Sequence, residues 1–190
     1  MARRRTAKLD TPARLRIIAS PATLEVFEAL QVGGPATATE LGPRLARKPN
    51  SLHYHIRKLS RTGLIRPVDS RRSGARTETV YDVVAHEFVG SPAPGSTTLR
   101  RITADAVASL LRLAIRNYTR ALERPDAITP TGRHRNLLAH RRKARLTRAQ
   151  LAEVNAHIRA LERIFSASAN PRSGTLHALT TVLVPLEHPD

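Results

Sequence analysis

The sequence predicts an α+β fold that is mainly helical and carries a small β-hairpin. Three observations lead to this class. Short segments with helical apolar spacing, separated by helix-breaking residues, fill the region before Gly63. The spacing of apolar residues changes to two directly after Gly63, and two longer stretches with helical spacing follow in the second half of the chain. We therefore expect three helices, a hairpin and then further helices.

Composition restricts the class of protein. A chain of 190 residues with 41% hydrophobic content has room for one medium or two small domains and can bury a core. The absence of cysteine excludes disulfides, thiolate metal sites and cysteine nucleophiles. No apolar run approaches the roughly 18 residues of a membrane span, and polar sequence follows the N-terminal arginines. We expect a cytoplasmic protein.

The net charge of +17 favours polyanionic partners, because each neutralised phosphate releases condensed counterions. Arginine and lysine are spread over both halves of the chain in similar numbers. Charge alone therefore does not locate a binding surface.

The first elements follow from helix start and stop signals. Residues 1–11 are polar and basic without periodicity and are expected to form a flexible arm. A helix is expected to follow Pro21 and to end at Gly33. A short helix over 40–47 is expected next, with Thr39 as its N-cap. Apolar residues at helical spacing form the expected buried face of the first helix: Leu24, Phe27 and Leu30.

A third helix is expected to be capped by Asn50 and to end at Gly63. One side of it is an apolar stripe made of Leu52, Ile56 and Leu59. The opposite side has hydrogen-bonding side chains near the helix start and cations further along: Ser51, His53, Tyr54, Arg57, Lys58 and Arg61. This is the layout of a helix that reads the DNA major groove. An ordinary solvated helix face is the alternative.

The alternating pattern after Gly63 predicts a β-hairpin with strands over 64–68 and 79–84. Its expected polar tip, 69–77, contains Arg71, Arg72 and Arg76. Such a tip is typical of a wing whose arginines enter the minor groove or lie along its phosphates, and a solvated loop is the alternative.

Residues 87–98 are rich in Pro, Gly and Ser and are expected to form a linker. A long helix over 99–123 follows, and it is apolar on two faces. One face can pack within its own chain and the other against a second copy, although a helix buried entirely within one chain would show the same pattern. The expected dimerisation residues are Ile102, Val107, Leu110, Leu111, Ala114 and Tyr118.

A last helix is expected over 147–167, where Thr147 and Gln150 have capping-box spacing. Its expected buried stripe is Leu151, Val154, Ile158, Leu161 and Phe165. Residues 137–146 and 175–186 are a possible strand pair. Five residues of the second half could line a cavity for a small molecule: Leu110, Leu111, Tyr118, Val154 and Ile158. An ordinary hydrophobic core made of these residues is the alternative.

Segments 37–41 and 50–65, followed by a basic hairpin that ends in Val80-Tyr81, resemble the ArsR-type family of bacterial winged-helix regulators over 17–84. The resemblance implies a winged helix-turn-helix domain, expected over 12–86. Because the 99–123 helix is apolar on two faces, residues 99–190 are expected to form a C-terminal dimerisation or accessory region. The resemblance also implies a homodimer that places two recognition helices in successive major grooves. It assigns DNA contacts to Asn50, Ser51, His53, Tyr54, Arg57 and Lys58, and core positions to Leu52, Ile56 and Leu59.

The sequence offers little catalytic or metal-binding chemistry. His53 and His55 are two residues apart on a helix and point about 200° apart, so they cannot share an ion. No serine has a nucleophile-elbow context, no glycine-rich loop resembles a phosphate cradle, and no carboxylate pair suits acid/base work. We expect no metal site, no cofactor and no enzyme activity.

The expected function is a sequence-specific regulator of transcription, a repressor, that binds double-stranded DNA as a homodimer in association with the bacterial nucleoid. The alternatives are a winged-helix module that binds an acidic protein or RNA, and a nucleoid-type DNA binder of low specificity. The sequence does not identify an effector. The residues expected to contact DNA are Thr39, Asn50, Ser51, His53, Tyr54, Arg57, Lys58, Arg61, Arg71, Arg72 and Arg76.

Overall fold

The computed structural model describes residues 6–8, 11–85, 87–89, 96–128, 132–167 and 174–187. Within them the chain is α+β, as predicted. The elements in chain order are β1 (Thr6–Lys8), α1 (Pro12–Ile18), α2 (Pro21–Gly33), α3 (Ala38–Leu45), α4 (Pro49–Arg61), β2 (Ile65–Ser73), β3 (Arg76–Val83), β4 (Glu87–Val89), α5 (Thr97–Leu122) and α6 (Arg148–Ala167).

One hydrophobic core is built between α1, α2, α3, α4, the base of the β2–β3 hairpin and α5. The predicted apolar faces of α2 and α4 are buried in it, and Leu30, Leu52 and Leu59 have no exposed surface. Helix α1 was not predicted; Thr11 caps it by accepting a hydrogen bond from the Arg14 N–H, and Pro12 occupies its first position. No described helix is both long and apolar enough to cross a bilayer.

Two predicted N-caps are wrong by two residues. Thr37, not Thr39, caps α3, and it forms a capping box in which Thr37 and Glu40 each accept a hydrogen bond from the other's backbone N–H. Lys48, not Asn50, is the N-cap of α4, because Pro49 starts that helix. Proline is favoured there, since its φ is already helical and its missing N–H would have no partner.

The predicted hairpin forms from β2 and β3, which pair antiparallel from Ile65–Val83 to Ser73–Arg76. Its turn is only the two residues after Ser73, and Gly74 supplies a φ of 60° there. Most of residues 69–77, expected to be a loop-like tip, is therefore paired strand. The hairpin is fixed to the helices by two backbone hydrogen bonds exchanged between Ala36 and Tyr81.

Strands β1 and β4 pair in parallel, with Thr6 opposite Glu87 and Lys8 opposite Val89. The sequence reasoning placed the first of them in a flexible arm and the second in a linker, so this pairing was not anticipated. Three-residue strands carry too short an alternation for a sequence pattern to reveal.

The C-terminal segment, defined here as residues 132–167 and 174–187, differs from the rest. Helix α6 forms, and Thr147 and Gln150 make the predicted capping box. Its stripe was predicted to be buried, but no residue of α6 is buried. The predicted strand pair over 137–146 and 175–186 is also wrong: both stretches lack strand structure. A strand requires a hydrogen-bonding partner, and within the described chain the only backbone hydrogen bond of either stretch runs from the Leu137 N–H to the Ile128 carbonyl.

Candidate nucleic-acid interface

The surface of α4 separates sharply into a buried and an exposed side. Leu52, Ile56 and Leu59 are buried, whereas the side chain of Tyr54 is 60% exposed. Five other predicted contact residues of α4 are also exposed: Asn50, Ser51, His53, Arg57 and Arg61. The remaining one, Lys58, is half-buried. Ser51 also donates a hydrogen bond from its hydroxyl to the Lys48 carbonyl, 2.7 Å away. The helix therefore presents polar and cationic groups to solvent along its whole length.

His55 fixes α4 against α2. Its Nδ1 is hydrogen-bonded to the Thr23 Oγ1 at 2.8 Å, and that hydroxyl is hydrogen-bonded to the Ser20 Oγ at 2.9 Å. The Tyr54 and His55 rings also meet edge to face, with centroids 5.3 Å apart. Burial lowers the pKa of His55, and the positive charges of Arg47 and Lys58 lower it further. His55 is therefore favoured in its neutral form, as a positioning residue behind the exposed side of α4.

The last turn of α4 is held by α1. The Arg14 guanidinium donates from Nε to the Thr62 carbonyl at 3.2 Å. A cation at this end complements the negative end of the helix dipole and satisfies a carbonyl without an intrahelical partner. Gly63 then takes a left-handed φ of 64°, which turns the chain into the hairpin.

A three-residue ion bridge fixes the turn between α3 and α4. Glu25 of α2 accepts a hydrogen bond from Arg47 at 2.9 Å and another from Arg116 of α5. Arg47 lies in the tight turn, where a side chain on Gly42 would come within 3.0 Å of the Arg47 carbonyl oxygen. The bridge thus connects α5 to the residues that set the start of α4.

The β2–β3 hairpin, called the wing below, is fixed to α3 by two polar contacts. Arg71 donates to the Glu40 carboxylate at 2.7 Å, and the Thr39 hydroxyl donates to Glu78 at 2.5 Å. The Thr37 backbone N–H, and after it Arg71, hold the pKa of Glu40 below its usual value. The Thr39 hydroxyl likewise lowers the pKa of Glu78. Both carboxylates are therefore ionised partners that orient the hairpin beside α3.

The predicted wing residues differ in their partners. Arg71 is engaged by Glu40, and the predicted contact residue Thr39 is engaged by Glu78. Arg72 and Arg76 are exposed on the last paired residues of the hairpin, and Arg72 Nε donates only a long bond, 3.4 Å, to the Gly74 carbonyl. Unlike Arg71, Arg72 and Arg76 have no ion pair to α3 among the described residues.

Helix α5 divides the predicted dimerisation residues between its two faces. Ile102 is buried in the chain's own core, and Leu110 packs against that core, so both lie on the intrachain face. The other face is lined by residues that are exposed or half-buried: Val107, Leu111, Ala114 and Tyr118. An open apolar groove runs along this face between Arg100 and Leu111.

Within the described chain α5 and α6 share no packed interface, so one copy alone does not bring together the residues of the hypothetical small-molecule cavity. Among the described residues, no three His, Asp or Glu side chains converge in a group able to hold a metal ion.

Sequence reasoning missed the residues that position α4. Arg14, Glu25 and Thr23 contact it or its preceding turn from other helices, 22 to 48 residues away along the chain. Helical spacing reports which side of a helix is apolar, and it carries no information on such distant partners. The Thr11-Pro12 start signal was the one available indication that Arg14 lies on a helix.

A family model described as a helix-turn-helix domain matches residues 18–68, about a quarter of the chain. The match begins at the end of α1, includes all of α2, α3 and α4, and ends inside β2. No curated protein gives a significant match to the chain. The family match and the observed order of elements together support a helix-turn-helix DNA-binding domain in this chain.

Proposed function

We propose that this protein is a sequence-specific, ArsR-type regulator of transcription that represses its target as a homodimer on double-stranded DNA. Helix α4 enters the major groove, and the wing lies on the adjacent backbone or in the minor groove. The helix-turn-helix domain supports DNA binding. The sequence preference, the repressor role and the dimer are inferred from the side chains and from the resemblance.

The exposed side of α4 is the observation that carries the proposal. His53 and Tyr54 offer hydrogen-bonding groups in its first two turns, where a recognition helix meets base edges. Arg57 and Arg61 follow on the same exposed surface and are suited to phosphates or to bidentate contact with guanine.

The way α4 is held also suits this role. Its start is fixed through Arg47 and Glu25, its middle through His55 and Thr23, and its end through Arg14. A recognition helix whose position is fixed before binding pays less conformational entropy when it meets DNA. The exposed Arg72 and Arg76 add sequence-independent attraction to phosphates.

The test begins by selecting bound sequences from a random duplex library and measuring their affinity by fluorescence anisotropy. A Tyr54→Ala/Arg57→Ala double variant is compared with the parent on the selected duplex and on an unrelated one. We expect each substitution to cost about 1 to 3 kcal/mol on the selected duplex and less on the unrelated one.

Arg163→Ala is the matched control, since it removes an exposed arginine from α6. The control should bind the selected duplex like the parent. Selection that returns no enriched sequence, or a double variant that binds as tightly as the parent, would contradict the proposed role of α4.

A further inference from the structure

The C-terminal segment is folded locally but is almost entirely uncovered. Of its 50 described residues only Leu137 is buried, whereas the described residues before it form a continuous core. The exposed residues include large apolar side chains on α6 and beyond it: Leu151, Leu161, Phe165, Leu176, Leu179, Val182, Leu183, Val184 and Leu186. Exposed apolar surface of this extent marks an interaction site.

Two stretches of this segment also have unpaired backbone. In 138–146 and 175–186, no backbone N–H donates to a backbone carbonyl within the described chain. The second stretch has the sequence character of a strand: it is rich in Thr and Val, and its even-numbered positions are mainly apolar, with Leu176 76% exposed. Unpaired extended backbone of this kind is a template for pairing with another chain.

The total exposed area indicates that the missing cover is large. A folded monomer of 20.9 kDa exposes about 9,000 Å², whereas this chain exposes 14,331 Å². The excess is on the order of 5,000 Å² summed over the whole chain, and the C-terminal segment contributes only a part of it. Stable homodimer interfaces bury about 2,000 to 5,000 Å² over both partners, so a dimer of this chain has ample surface from which to form.

The two uncovered helix faces match each other in length. The exposed stripe of α5 runs from Val107 to Leu122 and is about 23 Å long, and the stripe of α6 runs from Leu151 to Phe165 and is about 21 Å long. Residues 138–147 lead to α6 without a turn or bend, and within the described chain α6 shares no packed interface with its own α5.

We propose that the C-terminal segment is exchanged between two copies of the chain. The stripe of α6 of each copy packs on the exposed face of the partner's α5. The extended stretches 138–146 and 175–186 pair across the interface. The inference rests on the homodimer of the proposed function and deepens it by naming the surfaces that join.

Charge decides how the extended stretches pair. The 138–146 stretch carries four cations: Arg141, Arg142, Lys143 and Arg145. Pairing it with the same stretch of the second copy would bring these like charges opposite one another, which is destabilising. The 175–186 stretch has no Lys, Arg, Asp or Glu, so it is the uncharged partner that the first stretch requires.

The absence of cysteine allows a direct test by crosslinking of the full chain. One preparation carries a single cysteine on α5, Leu111→Cys or Tyr118→Cys. The other carries one on α6, Leu151→Cys, Ile158→Cys or Phe165→Cys. The two are mixed, allowed to exchange subunits and oxidised. Exchange between copies predicts a disulfide-linked product of twice the chain mass from at least one pair of positions.

If α6 instead covers its own α5, no mixed product forms from any pair, and a chain that carries both cysteines closes an internal disulfide. That result would overturn the proposal, and so would a parent chain that is monomeric at tens of micromolar by light scattering.

A second variant tests the contribution of the α6 stripe. Leu161→Glu/Phe165→Glu is expected to halve the mass measured by light scattering, whereas Ala156→Glu, which adds charge to the opposite side of α6, should leave the dimer intact. Circular dichroism verifies that the helices remain folded, and a variant that fails it leaves the decision to the crosslinking. A double variant that is folded and still dimeric contradicts the proposal.

DNA binding separates this inference from the proposed function. A folded monomeric variant that still binds duplex DNA weakly and in a salt-dependent manner supports both. A crosslinked dimer that binds no DNA would support the exchange of the C-terminal segment and contradict the proposed role as a DNA-binding regulator.

Discussion

The region from α1 to α5 and the C-terminal segment both have apolar helix stripes, and only the first region buries them within the chain. Leu52, Ile56 and Leu59 on α4 are buried in the core, where α4 packs against α2, α3 and β2. The stripe of α6 has the same helical spacing and is exposed or half-buried throughout. An apolar stripe thus specifies that a helix will be covered, and it does not specify by which molecule.

The largest difference in stability should come from removing one leucine of the α4 stripe and one of the α6 stripe. Leu59→Ala removes a fully buried side chain and should lower the free energy of unfolding by about 3 kcal/mol. Leu161→Ala removes a side chain that is 44% exposed within the chain. Its cost should be near zero in dilute protein and should grow with protein concentration, since a covering second copy contributes by mass action.

Urea denaturation at two protein concentrations measures both leucine variants. If Leu59→Ala and Leu161→Ala lower the free energy of unfolding equally at both concentrations, the stripes of α4 and α6 are covered in the same way. That result would contradict a second copy as the cover of α6.

A smaller loss of stability should show that α5 is held to the helix-turn-helix core by the Glu25 bridge. Glu25→Gln removes the shared partner of Arg47 and Arg116 and should cost about 1 to 2 kcal/mol, because three partly buried groups lose their charge pairing. Asp126→Asn removes the fully exposed partner of Arg124 and is the matched control, with no measurable change expected. If both variants melt like the parent, the bridge does not hold α5 to the helix-turn-helix core.

The smallest effect is a pH dependence that arises from His55. Burial and neighbouring cations lower its folded-state pKa, so below about pH 6.5 the unfolded state binds the proton more readily than the folded state. The contribution of His55 to stability should therefore fall as the pH drops through its unfolded-state pKa, and it should level off below its folded-state pKa. His55→Gln should flatten this part of a stability curve measured from pH 7.5 to 5. If His55→Gln leaves the slope of stability against pH unchanged, the ring of His55 does not contribute to holding α4 through its neutral form.

Sequence reasoning recovered the parts of the fold that local chemistry determines. The helix after Pro21, the helix up to Gly63 and the hairpin beyond it follow from apolar spacing, breakers and a change of period. Thr37 and Thr39 are both acceptable caps for α3, but only Thr37 has a Glu three residues later, and the reciprocal bond with Glu40 decides between them.

What the sequence could not predict depends on contacts between distant segments. The bonds of Arg14 and Glu25 to other helices and the pairing of β1 with β4 leave no periodic signal. The predicted strand pair failed for a related reason. Residues 175–186 have strand composition, but the hydrogen bonds of a strand need a second segment, which the described chain does not bring to them.

We propose that the exposed side of α4, together with the wing, binds DNA through its cations and polar groups. The most direct test is the affinity of the parent chain for a duplex at 50 mM and 200 mM salt. A dimer that makes six to ten phosphate contacts should lose about 10³- to 10⁵-fold in affinity over this range. Absent binding, or binding that salt does not change, would contradict the claim and favour an acidic protein partner.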